Sequence, residues 1–145
     1  MSESASWTDR WRVVTVPGTT WVDASHVGRA RGVEIQRVRS LTTGDHVAIS
    51  DARLFAKHRC RAFARRAGVV IDREYLAFPS VGAAAYIVED APGTATYFFD
   101  RIAVVPPGVA VLSGPAALVL RLARILMRYR VARAVFGRVV VGTVT

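Results

Sequence analysis

HVAISDARLFAKHRCRAFARRAGVVIDREYLAF (His46–Phe78) decides the fold, because it reads as strand, helix and strand in one unbroken run. The apolar centre of His46–Ser50 suits a strand buried on both faces. Ser50 or Asp51 stands where a side chain can cap the free amides of a helix over Asp51–Ala67, and Gly68 stands where a left-handed residue ends one. At about 100° per residue, Ala52, Ala56, Cys60, Phe63 and Ala67 fall on one apolar stripe, and Arg53, Lys57, Arg61 and Arg65 follow one another along a second side. Small residues facing inward predict close packing on a sheet. Val69–Phe78, rich in β-branched and aromatic residues, is the strand that follows.

Outward from this unit, Trp11–Val16 reads as a strand stopped by Pro17-Gly18, and Val33–Val38 alternates apolar and polar residues as a strand with one wet face. Thr42-Thr43-Gly44-Asp45 is a turn. Downstream, Ala83–Val88 is expected as a strand, and Asp90 with Pro92 starts a short helix that runs through Phe99. Ser113-Gly114-Pro115 opens an amphipathic helix to about Tyr129, with Arg121, Arg124 and Arg128 on one face and Val119, Leu122, Leu126 and Tyr129 on another. Gly137 is expected to end that helix, and Val139–Val141 to form a last strand. The alternation predicts an α/β or α+β fold, one compact domain whose mixed sheet of about five to six strands carries helices packed on it. Within that domain, residues 1–10 are expected to be a disordered start, 11–100 a sheet-and-helix core, and 101–145 a basic, apolar C-terminal segment.

A chain of 145 residues is of single-domain size, and 52% hydrophobic against 21% charged residues excludes intrinsic disorder. One cysteine, Cys60, excludes an internal disulfide and any multi-cysteine metal site, and fits a reducing compartment. Met1–Asp9 has neither the basic region nor the apolar stretch of a secretion signal. The uncharged run Ile102–Leu120 is as long as a membrane span, but Pro106, Pro107, Gly108, Gly114 and Pro115 interrupt it. The expected address is cytoplasmic, with peripheral attachment to a membrane as a further option. Net charge is +9, and residues 101–145 hold seven arginines and no carboxylate. Such a block calls for an anionic neighbour or a solvated surface.

Leu41–Ser80 resembles the later half of class I S-adenosylmethionine-dependent methyltransferases. Leu41-Thr42-Thr43-Gly44-Asp45 stands for their Leu-x-Pro-Gly-Gly turn, Val47–Ser50 for the apolar strand, and Ala67-Gly68-Val69 for the Ala-Gly-Phe that ends the helix. Thr43 replaces the proline and Asp45 the second glycine. Upstream there is no Gly-x-Gly-x-Gly loop after a strand, which in that family brings the backbone against the cofactor. The resemblance therefore implies a methyltransferase-like chain without its own cofactor loop, and no cofactor is expected on the isolated chain.

Candidate chemistry is sparse. Ser50 and Asp51, at the end of a strand that leads into a helix, are the candidate small-molecule ligands, because open α/β sheets collect ligands there. As helix caps they would be worth about 1 kcal/mol. Arg53, Lys57, Arg61 and Arg65, with Arg121, Arg124 and Arg128, are the candidate anion contacts. His58 and Cys60 lie about 200° apart around one helix and cannot share an ion, so no metal site is expected. Cys60 reads as a buried core thiol. Asp72, Glu74, Glu89, Asp90 and Asp100 could supply an acid and base pair, but nothing in the sequence joins two of them. Function is expected to be that of an accessory, non-catalytic subunit dependent on a protein partner or a second copy. A mean hydropathy of +0.28 suggests more apolar surface than a small domain hides. The alternative is a basic module bound to anionic membrane or nucleic acid through the C-terminal arginines.

Overall fold

The computed structural model describes residues 8–78, 80–84, 86–91, 93–98 and 136–145. They form a small α+β domain with a five-stranded mixed sheet and three helices. The strands are β1 (Thr20–Asp23), β2 (His46–Asp51), β3 (Val69–Phe78), β4 (Tyr86–Glu89) and β5 (Gly137–Val144). The helices are α1 (Gly28–Arg39), α2 (Ala56–Ala67) and the single turn α3 (Thr94–Tyr97). Spatial order in the sheet is β1-β2-β5-β3-β4; β1 runs parallel to β2, and every other pair is antiparallel.

The central unit folds as its pattern requires. Val47 and Ile49 of β2 face α2, whose Cys60, Phe63, Ala64 and Ala67 meet them in a core shared with Val140 and Val144 of β5. Alanine and cysteine at these positions let α2 lie close across β2, β5 and β3. Gly68 ends the helix with φ +75°, as expected, and its carbonyl accepts the Thr145 N–H at 3.0 Å. The other face of the sheet is covered by Trp11, which is fully buried and donates its indole N–H to the Val81 carbonyl at 3.1 Å, with Tyr75, Ala77, Val81, Val139 and Val141 around it. Along β5, Gly142 lies beside a bulge between Ile71 and Arg73, where any Cβ would run into the Val70 carbonyl and the Val69 side chain.

Several expectations are corrected. Trp11–Val16 is no strand: Trp11–Val13 is a 3-10 turn, and the first strand is Thr20–Asp23, beyond Pro17-Gly18. Val33–Val38 is helical, inside α1; Val38 is buried and Ile35 packs on the core, whereas Val33 is 61% exposed. Period 2 and period 3.6 overlap in so short a window, and contact with α2 decides for the helix. The helix expected over Asp51–Ala67 starts only at Ala56, so Asp51 is the last residue of β2, and Ala52 and Arg53 lie in the connection. The strand expected from Ala83 is Tyr86–Glu89, and Gly137 opens β5 instead of ending a helix. Thr94–Tyr97 is the short helix expected after Asp90. The run Ile102–Leu120 and the helix expected from Ser113 to Tyr129 lie outside the described residues, as does residue 1–7 of the expected disordered start. Among the described residues no helix is long and apolar enough to cross a membrane.

Candidate functional site at the carboxyl end of the parallel pair

Strands β1 and β2 end side by side, and a cleft of 210 Å³ opens there, lined by Asp23, Ser25, Ser50, Ala52, Arg53, Val81 and Gly82. This is where open sheets with parallel strands take up ligands. Strand alternation parts the two candidates. Ser50, opposite Val139, faces the cleft, and its hydroxyl donates to the Val22 carbonyl at 3.3 Å. Asp51, opposite Arg138, turns to the helix face and is 1% exposed. Neither caps α2. The Asp51 carboxylate accepts the Arg53 N–H at 2.8 Å and the Arg59 Nε at 2.5 Å, which fixes the β2–α2 connection and leaves Phe55 at the start of α2.

Phe55 has φ +60°, in the left-handed region that bulky side chains avoid, and it is 62% exposed next to Leu54 at 55%. The Leu54 carbonyl accepts a bond from Arg59 Nη2, so the arginine that pairs with Asp51 also holds the backbone in this conformation. The connection therefore exposes two apolar side chains, at a conformational cost of about 1–3 kcal/mol for Phe55.

Behind the cleft, on the helix face, lies a cluster that sequence reading did not assemble. Arg138 on β5 is fully buried, and its Nη1 donates to Glu74 Oε2 at 2.6 Å and Asp90 Oδ2 at 2.7 Å. Arg61 Nε reaches the other Glu74 oxygen at 2.5 Å, and Lys57 Nζ lies 3.9 Å from Asp90. So two of the acidic candidates, Glu74 and Asp90, do come together, but around a buried cation and not as a free acid and base. Arg138 Nε and Nη2 are buried with no hydrogen-bond partner. The sequence signal was thin: one Arg opening a Val-rich strand, with its partners far away in the chain.

These contacts locate the candidate anion ladder. Arg53 Nε stands 3.6 Å from Asp51, and Lys57 and Arg61 face carboxylates, so their charges are offset within the fold. Arg65 alone of the four is in no ion pair among the described residues, and it is exposed. Arg121, Arg124 and Arg128 lie outside the described residues. Cys60 is buried as expected; burial first, then the Asp51 charge, pushes its thiol up to about 12, so it stays neutral in ordinary buffers. Arg59 is held above its ordinary value, chiefly by its hydrogen bond to Asp51. Among the described residues no three His, Cys, Asp or Glu side chains are grouped as a metal would need.

Chemically, the cleft offers hydrogen-bond acceptors from Asp23, a donor from Arg53 and the Ser50 hydroxyl, with apolar Val81 in its wall. Its lining carries one carboxylate, Asp23, and the Ser50 hydroxyl, with no histidine, cysteine or lysine. No family model, curated protein or solved structure matches the chain.

Proposed function

We propose that the chain is a methyltransferase-like, non-catalytic subunit that works with a protein partner or a second copy of itself. The observation that carries this reading is the abrupt end of the parallel part of the sheet. Strand β1 has four residues and, among the described residues, no strand on its outer side. The segments leading into and out of it expose Val13 at 80%, Val16 at 47%, Val27 at 68% and Val33 at 61%. Parallel strands ordinarily lie inside a sheet with both faces covered, and an open edge flanked by valines is a template for another chain. The order of turn, β2, α2, left-handed Gly68 and β3 over Leu41–Ser80 is the order on which the family resemblance rests, and the cleft lining holds one carboxylate, Asp23, with no histidine, cysteine or lysine beside it.

Light scattering on a sizing column is expected to give a mass above the 15.8 kDa of one chain, and Val27→Asp with Val33→Asp to return it to one chain. Calorimetry with S-adenosylmethionine and the chain alone is expected to show no binding. A stable monomer, or a lone chain that takes up the methyl donor in one-to-one ratio, overturns the proposal.

A further inference from the structure

The ion pairs divide the cations of the helix layer by position. From Arg53 to Arg61, every arginine or lysine lies within 3.9 Å of a carboxylate. Arg39 at the carboxyl end of α1, and Arg65 and Arg66 at the carboxyl end of α2, are exposed and, among the described residues, in no ion pair. The carboxylates of neighbouring segments are engaged elsewhere: Asp45 accepts the Thr42 N–H, Asp72 the Thr143 hydroxyl, and Glu34 pairs with Arg37. Arg39 Nε donates to the Arg66 carbonyl at 2.9 Å, which ties the two helix ends together and orients that guanidinium. Each helix end contributes about half a negative charge, so three guanidiniums leave a clear positive surplus at this one place.

We infer that the end of the helix layer built on Arg39, Arg65 and Arg66 binds the phosphate backbone of a nucleic acid. Guanidinium forks match phosphate oxygens two at a time, and an arginine already oriented loses less freedom on binding. Attachment to an anionic membrane would need leucine or aromatic side chains beside the cations. Here the exposed Leu54 and Phe55 sit at the opposite end of α2, about 18 Å away along a twelve-residue helix. Tyr86 lies at that far end too, across from Phe78. Contacts to phosphate alone make this a surface without base specificity.

Fluorescence anisotropy with a labelled, mixed-sequence DNA duplex of about 20 base pairs tests it: affinity is expected to fall linearly on a log–log plot as salt rises from about 50 to 200 mM. Replacing all three arginines by glutamine (R39Q, R65Q, R66Q) is expected to weaken binding at least about tenfold and to lower the salt slope by about 2 to 3, while the three lysine replacements keep most of the affinity. The single change Arg65→Gln removes an exposed side chain that is in no ion pair among the described residues. It is expected to cost about two- to threefold with an unchanged melting temperature. Equal affinity of the parent and the triple glutamine variant overturns the inference. So does binding to phosphatidylserine vesicles, lost in the triple variant, without any binding to the duplex, since that assigns the surface to a membrane.

Discussion

The two ends of α2 carry the same residue types and meet opposite fates. At the amino end, Lys57, Arg59 and Arg61 lean toward carboxylates of β2, β3 and the segment after β4, and Arg138 fills the space beneath them. At the carboxyl end, Arg65 and Arg66 are exposed and form no ion pair among the described residues. A formal charge of +9 therefore says little about where charge is available. What decides is the sheet: the three carboxylates of the cluster lie under one end of the helix, and the other end rests on valines and Gly68.

Arg138→Ala would break this contrast most severely. It leaves Glu74 and Asp90 without their buried cation, and urea denaturation is expected to show a loss of about 3–5 kcal/mol. A loss below about 1 kcal/mol would mean that the cluster is solvated and the two ends alike. Next comes the pH dependence of Cys60, in the middle of the helix. The unfolded thiol ionises near 9.0 while the folded one, pushed up to about 12, does not. The stability it supports is thus complete below pH 9 and declines as pH rises toward 12. Relative to Cys60→Ala, the parent is expected to lose about 1.4 kcal/mol per pH unit across that window, read from denaturation midpoints.

Phe55→Gly sharpens the picture of the amino end. Glycine takes the left-handed conformation without strain, and thermal unfolding is expected to show a gain of about 1 kcal/mol. Smallest of all, Arg65→Gln or Arg66→Gln is expected to change stability by no more than about 0.5 kcal/mol, since only the interaction with the helix end is lost.

How far the sequence could be read follows from the range of the interactions. β2, α2, Gly68 and β3 are legible because each is set by its own pattern: an apolar run, a stripe, a left-handed stop. α1 is misread because Val33 and Ile35 imitate a strand, and only the packing of Ile35 and Val38 on the core shows the helical spacing. Trp11 is misread in the same way, since β-branched neighbours suggest a strand while its indole is anchored on Val81, far along the chain. At the site, Ser50 lies near the end of β2 and lines the cleft, while strand alternation sends Asp51 to the other face. Arg138, Glu74 and Asp90 could not be joined from the sequence, because nothing local fixes the register of β5 against β3. The open edge at β1 was likewise invisible until the strand order was known.

Strand β5 pairs with β2 on one side and β3 on the other, yet it is the last of the five strands in the chain. Without residues 137–144, the β1–β2 pair and the β3–β4 hairpin are unjoined halves of the sheet. A chain cut short before that point would carry two raw edges, a natural substrate for chaperones and proteases.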